Sequence, residues 1–154
     1  MFNQHLPQRI DSTYRGHRLA LWLFALVVSV RILQSLLAIF NGRSVVSSAD
    51  GIPLDTYTPA GAQTVVALFA LVGFSRLIVS LLCVLVLVRY RSGVPFMFAL
   101  LVLDHVAKHL ILQFVPIVRT GTPPGPFVNL ALFALMIVGL ALSLWKQGNP
   151  RAQV

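Results

Sequence analysis

Glutamate is missing from this chain of 154 residues, and aspartate occurs only four times. Charged residues of either sign make up 10% of the sequence, against about 25% in a soluble domain, so the chain folding alone could not cover itself with a water-facing surface. There is one cysteine, Cys83, which excludes an intrachain disulfide framework or a cysteine-rich metal centre. Twelve Lys or Arg give a formal charge of +8. They are scattered between long apolar runs and do not cluster on one solvated face, which argues against nucleic acid as a partner. What is abundant is apolar: 57% of residues are hydrophobic and the mean hydropathy is +0.84. This is the composition of a polytopic membrane protein.

Four stretches are long and apolar enough to cross a hydrocarbon core, which takes about 20 helical residues. They are read as 19–40, 62–88, 94–116 and 127–145, with an outer loop over 41–61, an N-terminal arm over 1–18 and a tail over 146–154. The breaks have a mechanism. Asn41-Gly42, then Pro53, Pro59 and Gly61, then Ser92-Gly93 ahead of Pro95, then the run Thr122 to Pro126 are stop and start signals, since proline in a first helical turn has no N–H bond to lose. The few residues between the second and third spans force an antiparallel hairpin. The expected fold is an all-α integral membrane protein, an antiparallel four-helix bundle running up-down-up-down.

Loop charge sets the expected orientation. Arg9, Arg15, Arg18, Arg89, Arg91, Lys146 and Arg151 fall on one side. The other side has Arg43 and Arg119, offset by Asp50 and Asp55. Lys and Arg are retained on the cytoplasmic side, so both termini are expected inside, in a bacterial-type inner (plasma) membrane. Tyr14, Trp22, Tyr90 and Trp145 sit near that same edge, where amphipathic rings anchor at headgroups. The first apolar run exceeds the 7–15 residues of a signal-peptide core and is interrupted by Arg31 and Gln34, which favours an uncleaved anchor.

Several polar residues remain at membrane depth. Arg31 lies near the middle of the first span, Arg76 of the second, and Asp104 with His105 of the third, with Lys108 and His109 one turn further on. Helical spacing gathers them into stripes: Arg31, Gln34, Ser35; Gly73, Arg76, Ser80, Cys83; Asp104, His105, Lys108, His109. Asn129, Leu132, Met136, Gly139 and Ser143 form the matching stripe of the fourth span, whose small residues permit close helix approach.

Magnitudes indicate that these stripes face inward. Asp104 and Lys108 together cost about 5–7 kcal/mol at a helix centre, while the apolar Leu, Ile, Val and Phe of that span return about 4–8 kcal/mol. The third helix is therefore marginal alone and should insert with its neighbours, Asp104 paired with Arg31, Arg76 or Lys108. Three cations against one carboxylate leave a net of +2 with neutral histidines. An anionic ligand, an inward-reaching phosphate headgroup, a water-filled cavity or a neutral Lys108 would each relieve it. A cluster that only fixes helix register, satisfied by water and backbone carbonyls, is the plainer alternative.

Other chemistries fit these residues less well. His105 and His109 have the i, i+4 spacing by which two imidazoles share a metal, but only Asp104 offers a third ligand and Lys108 adds positive charge on the same face, so no metal site is assigned. Two histidines on one helix cannot supply opposite axial ligands to one haem. A ladder from Asp104 through His105 and Lys108 to His109 could relay protons, since imidazole changes charge nearest physiological pH. Ser75 and Ser80 lack the glycine-flanked elbow of a hydrolase nucleophile, and adjacent Asp104 and His105 diverge by about 100° around a helix. Asp50 and Asp55 read as turn residues, and Cys83 as an inert packing residue.

The layout resembles that of several families of small bacterial membrane proteins, and layout alone implies no function. The first expectation is a polar bundle core, lined by Arg31, Gln34, Arg76, Asp104, His105, Lys108 and His109, that binds an anionic or polar-headed ligand such as a lipid or quinone, or passes a proton-coupled solute. The second is a non-catalytic membrane subunit or scaffold whose charges pair helices or partner proteins, with a homo-oligomer or another membrane protein as partner. An enzyme acting on a bound quinone or lipid comes third, without assigned catalytic residues. Membrane lipids are partners in every case, and no cofactor beyond a quinone or lipid is expected.

Overall fold

Proline and capping side chains decide where the helices begin. Helix α1 (Arg18–Phe40) opens on His17, whose Nδ1 accepts the Leu19 N–H at 3.1 Å. Helix α2 (Pro59–Arg89) opens on Thr58, whose Oγ1 accepts the Gly61 N–H at 3.2 Å, with Pro59 as its first residue. Helix α3 (Val94–Phe114) follows a single tight turn, Arg91–Gly93, and carries Pro95 in its first turn. Helix α4 (Pro124–Leu144) starts on a proline after extended Pro123. α2 and α4 thus begin about one turn before the apolar runs at 62 and 127, because proline is compatible with the first helical turn and its missing N–H costs nothing there. α3 ends at Phe114, two residues short of the expected 116.

The structure, a computed structural model, describes residues 16–145; over these it is helical with no strand. Tyr14, Arg9, Arg15, Lys146 and Arg151, which enter the orientation argument, lie outside the described residues. All four long helices are long and apolar enough to cross a membrane, and α3 is the least apolar of them.

Helix α1 is the centre of the packing. It lies against both α2 and α4, α4 also lies against α3, and α2 and α3 touch little. One core cluster joins all four helices through Phe24 and Val27 of α1, Cys83 of α2, Phe98 and Leu101 of α3 and Met136 of α4. The rings of Phe24 and Phe98 meet edge to face at 4.9 Å and 69°, a geometry worth about 0.5–1.5 kcal/mol beyond its buried area. Two glycines allow close approach between long helices. A Cβ at Gly139 would run into the Phe98 ring, and one at Gly73 would stand 2.9 Å from Cβ of Ala38. Only hydrogen fits at either position.

The polarity is inverted relative to a soluble bundle. Ser35, Ser80 and Ser143 are buried, whereas Trp22 is 76% and Leu71 63% exposed, and exposed leucines, valines and phenylalanines surround all four helices. Each buried serine is satisfied within its own helix: its Oγ donates at 2.8 Å to the carbonyl of Arg31, Arg76 and Leu140 respectively. An exposed apolar belt of this extent marks an interaction surface, and its presence on all sides suits lipid.

The segment joining α1 to α2 is more ordered than its Ser, Thr, Gly and Pro content suggests. After Asn41 a short helical stretch, Gly42–Ser44, runs into a π-helical turn, Val45–Ala49. Val46, Ile52 and Leu54 then bury themselves with Ala62 at the start of α2. The α3–α4 connection is tied to the same segment: Thr120 donates to the Gly51 carbonyl from its N–H at 2.8 Å and from its Oγ1 at 3.2 Å. The start of α1 meets the far end of α4, where the His17 N–H donates to the Leu142 carbonyl at 3.2 Å.

Candidate functional site

Asp104 collects cations from two helices. On α3 itself, Lys108 follows four residues later, so the two side chains share one face, and Lys108 Nζ donates to the carboxylate at 2.6 Å. From α1, Arg31 Nη1 reaches Asp104 Oδ2 at 3.4 Å. The other terminal nitrogen, Nη2, lies 3.6 Å from the Met136 sulfur on α4. The three helices are thereby joined at one level. The pairing is unevenly covered: the side chain of Arg31 is 14% exposed, those of Lys108 and Asp104 37% and 39%.

Arg76 brings a third cation from α2. It is close enough to Arg31 and Lys108 to act on both electrostatically, yet no acid of the cluster holds it. Arg31 and Arg76 share a local construction: each is followed four residues later by a buried serine that occupies its carbonyl. In both, the Nε–H is buried and has no hydrogen-bond partner among the described residues. An unmade hydrogen bond at a buried donor costs about 1–3 kcal/mol, more for a charged group. Two such donors, on helices whose arginines act on one another electrostatically, call for an acceptor.

His105 stands beside this group but does other work. Its ring stacks on Phe133 of α4, centroids 4.4 Å apart and planes 15° from parallel. Gln34 is half-buried one turn beyond Arg31 and is not among the hydrogen-bond partners of the cluster. His109 is exposed. The expected ladder thus divides: the structure brings Arg31, Arg76, Asp104 and Lys108 together, sets His105 against an aromatic ring, and leaves His109 on the outside of α3.

A second acid approaches from the α1–α2 segment. Asp50 Oδ1 packs against Gly125 at the start of α4, where a Cβ would stand 3.0 Å away. The carboxyl feels Arg119 and, from further off, Arg76. Burial pushes its pKa above the usual carboxylate value, against the opposing pull of the two arginines. Asp50 was read from sequence as a turn residue. Its proximity to α4 arises from the folding back of residues 42–56, which no local pattern announces. Met136 and Phe133 were likewise absent from the expected site, although Met136 already belonged to the inward stripe of α4.

Among the described residues no group of three or more His, Cys, Asp or Glu could hold a metal ion. Ser75 Oγ donates to the Leu71 carbonyl at 3.1 Å on an exposed face, and neither it nor Ser80 meets a base. An open pocket of about 350 Å³ between Arg43, Ser47, Asp55 and Thr120 shares no residue with the charge cluster. No protein family matches the chain, and no curated protein or solved structure matches it either. The chemistry open to the cluster is recognition of an acceptor-rich group by fixed guanidinium and ammonium donors.

Proposed function

We propose that this chain is a multi-pass inner-membrane protein, an up-down-up-down four-helix bundle with cytoplasmic termini, whose core binds an anionic or polar-headed small ligand: a lipid, a quinone or a solute carried with protons. The alternation is supported by the contacts that put both long connections at one end and the start of α1 beside the end of α4. The orientation rests on the basic residues of the opposite end.

The observation that carries the ligand reading is the pair of buried Nε–H groups of Arg31 and Arg76, without a partner among the described residues, within a net-positive cluster. Intramembrane charge is costly enough that it marks function by default. Purification in mild detergent, followed by an absorption spectrum and native mass spectrometry, tests it. A co-purifying ligand lost on Arg31→Gln or Arg76→Gln is expected; a clean apo bundle would overturn it.

The scaffold reading keeps one specific support, the partial exposure of Asp104 and Lys108, which leaves them able to meet a charged helix of another membrane protein or of a second copy. Crosslinking from position 108 in native membranes would reveal that partner.

A further inference from the structure

We infer that the group bound by Arg31, Arg76 and Lys108 is a phosphate-type oxyanion carried on an amphiphile, which reaches the cluster sideways between α2 and α3. The inference rests on the ligand-binding reading above and narrows it by charge, by donor geometry and by access.

Charge selects an anion. The cluster holds three cations and one carboxylate, and Asp50, which acts on Arg119 and Arg76 electrostatically, forms no salt bridge with any of the three among the described residues. A neutral quinone would leave that excess untouched, whereas an anion offsets it where isolated charge is unfavourable. Donor geometry selects an oxyanion rich in acceptors. Two guanidinium Nε–H groups on different helices lack acceptors among the described residues, and Lys108 has three donors, which the single Asp104 carboxylate does not exhaust. A phosphate group offers several oxygens around one centre and suits the guanidinium fork.

Access selects the amphiphile. The end of the bundle nearest the cluster's Lys108 side is closed by residues 42–56, tied at Gly51 to Thr120 and pressed at Asp50 against Gly125. Around the sides, α1 seals against α2 and α4, and α4 against α3, so the sparsely contacted seam is the one between α2 and α3. The cluster's two most exposed members, Asp104 and Lys108, belong to α3, one of the two helices that form this seam. Ile111, seven residues beyond Asp104 and so nearly in line with it along the helix, is apolar and 60% exposed. A headgroup entering here brings its acyl chains onto an apolar helix surface, which a soluble anion would not use.

The full chain, delipidated by detergent exchange, is offered phosphatidylglycerol, phosphatidylcholine, inorganic phosphate or a ubiquinone, and binding is read by native mass spectrometry and by the thermal unfolding midpoint. Phosphatidylglycerol should be retained and should raise the midpoint, with about tenfold weaker retention in Arg76→Gln. Lys108→Gln, which leaves Asp104 paired with Arg31, is the second variant should Arg76→Gln fold poorly. Equal retention by the wild type and a folded variant would overturn the assigned site. Stabilisation by inorganic phosphate as strong as by phosphatidylglycerol would overturn the amphiphile and leave the ligand reading intact. Preference for ubiquinone would overturn the oxyanion chemistry alone, and preference for phosphatidylcholine, whose phosphodiester is offset by its choline, would overturn the selection by net charge. No binding of any of the four would overturn both readings.

Discussion

Arg31 and Asp104 stand 3.4 Å apart across 73 positions of sequence, and their contact ties the helix at the centre of the packing to the helix with the fewest neighbours. Lys108 leans on the same carboxylate. Removing the negative charge therefore leaves two cations facing one another. Asp104→Asn should lower stability by roughly 1–3 kcal/mol, less than the 3–5 kcal/mol of a fully buried pair, because Asp104 is 39% exposed. Denaturation in mixed micelles measures it; a neutral effect would show that the carboxylate is not the counter-ion of the cluster.

Gly139→Ala should be costly for steric reasons alone. The added methyl would run into the Phe98 ring, and overpacking of this kind costs about 1–3 kcal/mol. Phe98→Leu in the same chain should recover part of the loss, since the two positions are in direct contact and their effects are not additive. A thermal-shift series over the two single variants and the double variant separates the steric term from the lost aromatic pair.

Stability should depend on pH through Asp50. Its folded-state carboxyl is held above the usual value by burial, so the folded protein binds the proton more tightly than the unfolded chain. The contribution is greatest below the unfolded pKa of about 4 and declines as pH rises from there through the folded value, after which it is constant. Asp50→Asn should flatten this descent. Unfolding midpoints from pH 3.5 to about 7 would reveal it, and an identical slope in the variant would remove Asp50 as its source.

Topology is open to cysteine labelling, because Cys83 is fully buried. Ser48→Cys, exposed in the α1–α2 segment, should react with an impermeant maleimide on intact cells. Ser92→Cys, exposed in the α2–α3 turn, should react only after permeabilisation. The reverse pattern would invert the orientation, and equal reaction of both would remove the intervening span.

Helical spacing carried much of this structure. The stripe Leu132, Met136, Gly139 and Ser143 is the buried face of α4, and Gly73, Ser80 and Cys83 are the buried face of α2. Spacing misled at His109. Successive i+4 steps advance about 40° each around a helix of 3.6 residues per turn, so moving from buried Leu101 through His105 to His109 rotates the chain out of the core. The seven-residue step from Leu101 to Lys108 falls back by about 20° and keeps Lys108 half-buried at the edge of the core. Asp50 was hidden for a different reason: its surroundings are created by the π-helical turn at Val45–Ala49 and by the Thr120 bonds to Gly51, contacts between segments distant in sequence. His17 as the cap of α1 was also unforeseen, since imidazole is not among the favoured N-cap side chains.

The central place of α1 has a consequence for biosynthesis. It is synthesised before the other three described helices, and α2 follows with a second arginine whose Nε is buried. Neither meets the carboxylate of Asp104 until α3 has been translated. Half of the chain must therefore wait in an incompletely neutralised state, so the order of synthesis places the nascent protein's most vulnerable interval just before its third helix emerges.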